Sequence, residues 1–172
     1  MTVRTLVLLR HAKAERPGDD HDVDRRLTTR GEADAYAAGV WLAAGQLVPG
    51  LVFCSPAART RQTWDGVAAA LGKSAEGGTP AEVRYESGLY HGGRTEVFDL
   101  LRAVPDAVRT VLVVGHNPTV SLVSALLVPD DQYDGEDLGL RTAGIAVHRA
   151  TGPWSDTEPG SMRRFERHTA RS

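Results

Sequence analysis

The sequence predicts an α/β fold, a three-layer α/β/α arrangement around a mostly parallel central sheet. Two observations carry that reading. Short continuous apolar runs, Thr5–Leu9, Gly50–Cys54 and Thr110–Gly115, have the length and composition of strands buried on both faces. Segments with helical spacing or helix-start signals lie between them, and strands alternating with helices make a parallel sheet covered on both sides.

Thr5–Leu9 opens the sheet and ends in Arg10-His11-Ala12. The polar stretch from Lys13 to Arg26 holds Pro17, Gly18 and the acidic residues Asp19, Asp20, Asp22 and Asp24, and reads as a solvated loop. Leu27 to Glu32 reads as a helix start, with Thr28 or Thr29 as N-cap and Thr29 and Glu32 at capping-box spacing. Ala33, Ala37, Val40 and Trp41 continue that helix and Gly45 stops it. Gly50–Cys54 is the second strand, followed by a helix from Ala57 to Leu71 and a small-residue loop from Gly72 to Pro80. Glu82–Tyr85 is a short strand, with a turn and then a helix over Arg94 to Val104. Thr110–Gly115 is the clearest strand, and Pro118 suits the first turn of the helix that follows to Leu127. An acidic loop, Pro129 to Asp137, leads to a strand at Gly144 to Arg149, and Met162 to His168 returns beside it as an antiparallel C-terminal hairpin.

Composition narrows the function. The chain of 172 residues is predicted to form one domain over 1–172, long enough to bury a core without disulfides or a structural metal. Its 20 Lys and Arg against 22 Asp and Glu leave a net charge of −2, which offers no footprint for nucleic acid or an anionic membrane. One cysteine, Cys54, excludes an internal disulfide framework and a Cys-rich zinc site, and inside an apolar strand it reads as a core residue. No apolar run is long enough to span a bilayer, and Arg10 and His11 interrupt the first one before a signal-peptide pattern develops. The expectation is a cytoplasmic protein.

Three strand ends carry residues of one chemical kind. The first delivers Arg10 and His11; the second delivers Ser55 and, a turn later, Arg59; the third delivers His116 and Asn117. Ligands of open α/β sheets bind outside the carboxyl ends of the strands, so these groups converge in one crevice. Two guanidiniums and two imidazoles without an acid in their motifs describe a site for a doubly charged oxyanion, phosphate above all. Helices starting near Pro56 and Pro118 add backbone donors. Lys13 either reaches the same anion or projects into solvent. The run Asp130-Asp131-Gln132-Tyr133-Asp134-Gly135 hints at a calcium loop, but its closing glutamate falls on Arg141.

Leu9-Arg10-His11-Ala12 resembles the Arg-His-Gly/Ala signature of the histidine phosphatase (phosphoglycerate mutase-like) superfamily. Ser55-Pro56-Ala57-Ala58-Arg59-Thr60-Arg61-Gln62-Thr63 resembles its second motif and Val114-Gly115-His116-Asn117-Pro118 its third. Asp24 to Gly31 and Leu89-Tyr90 are similar to the small SixA-like phosphohistidine phosphatases. The match runs in order over residues 4 to 150. The resemblance implies a phosphoglycerate mutase-like sheet, His11 as nucleophile through a phosphohistidine intermediate, and Arg10, Arg59 and His116 holding the phosphoryl oxygens. It implies no metal and no cofactor, and the six histidines show no metal-ligand spacing.

The sequence departs from the family at two places. Ala12 replaces the usual glycine, as in the SixA-like group. Where mutases carry a leaving-group acid, Leu89-Tyr90 is followed by His91, and Glu86 is the nearest carboxylate, so these two are the candidates for that role. The short connection after Tyr90 leaves no room for the mutase lid. The implied substrate is phosphohistidine in a protein, whose leaving imidazole needs little help. The rivals are a phosphatase of small phosphomonoesters and a non-catalytic module that binds phosphorylated partners.

Overall fold

The strand β1 (Arg4–Arg10) lies inside a six-stranded sheet of order β3-β2-β4-β1-β5-β6 in the computed structural model, which describes residues 2–74, 79–133 and 139–172. It pairs in parallel with β4 (Thr110–Gly115), which pairs in parallel with β2 (Leu51–Cys54), and β2 with β3 (Glu82–Tyr85). On its other side β1 meets β5 (Gly144–Ala150) antiparallel, and β6 (Arg163–Thr169) folds back on β5 as the outer strand. The predicted mostly parallel sheet with an antiparallel C-terminal hairpin is therefore present.

The apolar runs are continuous because both faces of each strand are covered. Val7, Leu9, Val52, Leu112 and Val114 point to one side and pack with Ala38, Leu42, Val67 and Leu71 of α1 (Thr29–Ala44) and α2 (Ala58–Ser74). The alternate residues Leu6, Leu8, Phe53, Val111 and Val113 point to the other. There they meet α4 (Arg94–Arg102) and α5 (Thr119–Leu127) through Phe98, Leu101, Val123 and Leu127. A single turn, α3 (Gly88–His91), precedes α4.

Several local readings change. Thr28, not Thr29, caps α1: its hydroxyl accepts from the Gly31 amide at 3.0 Å, so the Thr29–Glu32 spacing is not a capping box. A side chain at Gly31 would collide with the Lys13 carbonyl oxygen, so glycine lets the strand-end loop pack directly on the helix start. The predicted loop over Lys13 to Arg26 is pinned at its base. Ala14 bridges Leu27, Thr28 donates to the Lys13 carbonyl at 2.9 Å and Glu15 to that of Arg26 at 2.8 Å, and the tip carries a 3-10 turn at Asp22–Asp24. The helix α2 takes the first residues of the loop predicted at 72–80, whose residues 75–78 lie outside the described ones. Pro118 stands as the cap residue just ahead of α5 rather than in its first turn. In the acidic loop a 3-10 turn forms at Asp130–Gln132, and residues 134–138, including Asp134 and Gly135 of the calcium-like run, are outside the described residues.

The helices α1 and α2 cross closely, and a Cβ on Gly39 would lie 2.6 Å from the Val67 carbonyl oxygen. Gly39→Ala should cost about 1–3 kcal/mol through overpacking. A Cβ on Gly72, near the end of α2, would meet nothing within 4 Å. Gly72→Ala should be neutral or stabilise by up to about 1 kcal/mol through helix propensity. Urea unfolding of both variants checks the contrast.

Candidate active site

Sheet register brings the polar strand ends together. Arg10 pairs with Gly115 and Cys54 with Val114, so the residues that follow, His11, Ser55 and His116, leave the sheet at one level. His11 is held by its backbone from two sides: its amide donates to the Gly115 carbonyl at 3.0 Å and its carbonyl accepts from Ala143 at 3.1 Å. The Ala12 amide donates to the Thr63 hydroxyl at 3.0 Å, tying the strand end to α2. The His11 ring is buried, and its Nδ1 donates to the Ala12 carbonyl at 2.8 Å, since a carbonyl can only accept. That bond places the proton on Nδ1 and leaves Nε2 with a free lone pair.

The ring of His116 lies 5.4 Å from that of His11, centroid to centroid. Its Nε2 meets the buried Ser55 hydroxyl at 2.7 Å, while Nδ1 is buried without a partner. Arg10 donates from Nη1 to the Leu140 carbonyl at 3.0 Å, and Asn117 donates to the same carbonyl at 2.8 Å. Arg59 is 5% exposed and donates to Asp22 twice, from Nη1 to its carbonyl at 2.7 Å and from Nη2 to its carboxylate at 3.0 Å. The Nε atoms of Arg10, Arg25 and Arg59 are buried and unpaired. Such unmet donors are costly in isolation, and one oxyanion among them would satisfy several together.

Both imidazoles are held neutral. Burial, with Arg59, Arg10 and Arg25 adding to it, pushes His11 down to about 4 against the opposing pull of the Ala12 carbonyl. Burial, then Arg59 and His11, pushes His116 down to about 3.

The structure also adds three residues to which the sequence assigned no role. The Asp22 carboxylate accepts from the Tyr90 hydroxyl at 2.8 Å and from Arg25 at 3.1 Å as well as from Arg59. The Tyr90 ring stands 5.6 Å from that of His116. Tyr90 and Arg25 sit inside the stretches that carry the family resemblance, which was the available signal. Nothing in sequence separates Asp22 from Asp19, Asp20 or Asp24. By contrast, His91 is exposed and touches the edge of the Tyr90 ring, with centroids 4.8 Å apart. Glu86 is half-buried after β3, and no hydrogen bond joins either side chain to the His11, Arg59 and His116 group. Lys13 is exposed. Among the described residues no cluster of three or more His, Cys, Asp or Glu is arranged to hold a metal ion, and no helix is long and apolar enough to cross a membrane. A cavity of about 640 Å³ opens at the other end of the sheet, beside Val3, Arg149 and Phe165, away from this chemistry.

Neutral imidazoles lie beside arginines at the carboxyl ends of parallel strands, an arrangement chemically suited to an oxyanion. The chain belongs to the histidine phosphatase superfamily (branch 1), whose family profile matches residues 6–89, and within it to the SixA-like group. An uncharacterized protein of Mycobacterium tuberculosis is 38% identical over 160 residues, covering 88% of this chain and 93% of its own. The structure of a candidate phosphohistidine phosphatase, SixA, from Nakamurella multipartitia superposes with a TM-score of 0.84 at 34% identity, over 99% of this chain and 98% of that one. Its counterpart from Agrobacterium tumefaciens gives 0.78 at 27% identity, over 96% and 97%. The profile stops before His116, and the structural match to the Nakamurella protein extends over 99% of this chain.

The lowered histidines have a consequence for stability. Another buried histidine, His148, bonded to Ser124 at 2.9 Å, is pushed by burial to about 3. All three folded values lie below the unfolded value of about 6.5, so the unfolded chain binds more protons once the pH falls below that point. Stability from these groups is complete above pH 6.5 and is lost as the pH drops toward 4 for His11 and toward 3 for His116 and His148. Proton NMR should show both site imidazoles still neutral at pH 5.5. Midpoints near 6.5 would contradict the burial argument.

Proposed function

We propose that this chain is a metal-independent phosphatase that removes phosphate from phosphohistidine in proteins, with His11 as nucleophile. One observation carries the reading: the Nδ1–H of His11 is committed to the Ala12 carbonyl, which leaves Nε2 unprotonated in a ring close to Arg59, Arg10 and His116. In the first step Nε2 forms a bond to phosphorus as the bond from phosphorus to the leaving nitrogen breaks. The departing imidazole, protonated on its other nitrogen, leaves as a neutral molecule. Water then attacks the phosphorus on His11, releases inorganic phosphate and returns Nε2 to its free state. Arg10, Arg59 and His116 hold the equatorial oxygens and stabilise the charge that develops in transit.

The phosphohistidine part rests on supporting features. The solved SixA proteins resembled at 34% and 27% identity are described as candidate phosphohistidine phosphatases. The α3 turn and the two glycines after it give a short rim beside the site, open to a side chain carried on another protein. His91 and Glu86 stand outside the hydrogen-bonded group, which suits a leaving group that needs no acid.

His11→Ala should abolish turnover with the fold intact, and acid-labile, base-stable phosphate should be trapped on the wild type. Arg59→Ala should lose roughly 10- to 150-fold in kcat/KM, the loss of a charge-assisted contact worth about 1.5–3 kcal/mol. EDTA should have no effect. Because a positioned acid contributes roughly 10²–10⁴-fold to alkoxide departure, phosphohistidine and aryl phosphates should turn over much faster than phosphoserine or phosphoglycerate. Equal rates for alkyl esters, collapsing in His91→Ala or Glu86→Ala, would establish an acid and favour a small-metabolite phosphatase. Phosphate binding without turnover of any substrate would favour the binding module.

A further inference from the structure

The guanidinium assigned to phosphate is already in use. Both terminal nitrogens of Arg59 are bonded to Asp22, one to its main-chain oxygen and one to its carboxylate. The same carboxylate gathers the Tyr90 hydroxyl and Arg25, so an anion of this chain sits where three donors of the site converge. The two partners of the Arg59 pair are anchored very differently. The Arg59 side chain is 6% exposed and fixed in α2, while that of Asp22 is 52% exposed on a three-residue turn with no buried residue and no side-chain cap. The loop is pinned at its base, Lys13 to Glu15 against Arg26 to Thr28, and at its tip Asp22 is held through the Arg59, Arg25 and Tyr90 side chains.

We propose that Asp22 is an internal competitor for the phosphate clamp: it holds Arg59 in the resting protein, yields to the phosphoryl group of the substrate, and returns to displace the product phosphate. The proposal rests on the reading of Arg59 as a phosphate ligand and adds the residue that sets the affinity of the site for oxyanions. A dianion outcompetes a single carboxylate for a cluster of arginines, and the displaced carboxylate repels what has replaced it. Inorganic phosphate and other cellular anions are thereby held weakly, and release after hydrolysis is helped. A role for Asp22 as proton donor does not fit, because the Tyr90 hydrogen bond, with Arg59 and Arg25, holds its carboxyl down to about 2 and it is an acceptor in every contact it makes.

Titration calorimetry with inorganic phosphate on the full chain tests this without any turnover. Asp22→Asn removes the charge and should tighten phosphate binding by about tenfold, the effect of a charge-assisted contact reduced by solvent exposure. Tyr90→Phe, which frees one hold on the carboxylate, should tighten it by about two- to threefold in the same direction, and serves if the first variant does not fold. Both gains should vanish in an Arg59→Ala background. Unchanged or weaker phosphate binding in Asp22→Asn would mean that Asp22 only orients Arg59 or is solvated, and would overturn the proposal. A gain that survived Arg59→Ala would also overturn it, as a general field effect. Failure of the phosphohistidine reading shows separately, in the turnover assay, with the phosphate titration unaffected.

Discussion

A guanidinium buried at the carboxyl edge of the sheet is the constraint on which the rest of this site depends. Arg59 is almost fully removed from water, and a buried charge is tolerated only where it is paired and hydrogen-bonded. The second motif, Ser55 to Thr63, holds no acid, and Arg59 does not draw on Asp65, the acid of its own helix, for the counter-charge. The pair comes instead from the loop after β1, 37 residues earlier in the chain. The same guanidinium acts on both imidazoles, keeping His11 and His116 neutral beyond what burial alone imposes. One buried cation thus shapes the protonation state of the histidines and holds Asp22 against it.

The scaffold meets that constraint with short-range geometry. Parallel register between β1 and β4 and between β4 and β2 delivers the strand ends at one level, and the backbone of His11 is bonded to β4 on one side and Ala143 on the other. Thr63 links the Ala12 amide to the Arg59 carbonyl, donating to the latter at 2.7 Å, so the end of β1 and the start of α2 are tied together. On the far side, Ser121 donates to Asn117 at 2.6 Å and accepts from Leu140 at 2.8 Å, which sets the carbonyl that Arg10 uses. The arrangement accepts neutral buried histidines and unmet donors, each destabilising by itself, on a core rigid enough to hold them.

What was legible in the sequence follows from which interactions are local. Buried strands write themselves as apolar runs, and the residue after each run falls at the sheet edge, so Arg10, His11, Ser55 and His116 could be placed from the runs alone. Arg59 needed only one helical turn more. The N-cap of α1 was ambiguous because the choice between Thr28 and Thr29 is made by the close approach of Lys13 to Gly31, a contact between segments. Asp22 was read as solvated for the same kind of reason: its neighbours in sequence are acidic and exposed, while its partners Arg59 and Tyr90 are 37 and 68 residues away. His148, in the middle of an apolar strand, gave no hint of the Ser124 hydroxyl that meets it.

On the proposed reading, a site without a leaving-group acid follows from its arginines as much as from the substrate. A carboxyl that donates a proton near neutral pH has to be raised from its ordinary value by burial or by a like charge. In this site the field runs the other way. The Tyr90 hydrogen bond, then Arg59 and Arg25, hold the half-exposed Asp22 carboxyl down to about 2. An acid able to serve an alkoxide would have to stand clear of these arginines on a support reaching over the leaving group. The rim beside the site is a single turn of helix, with His91 facing solvent at its end. Under the proposed function, buried arginines around the phosphoryl group and a short rim would favour the same leaving group, one that brings its own proton.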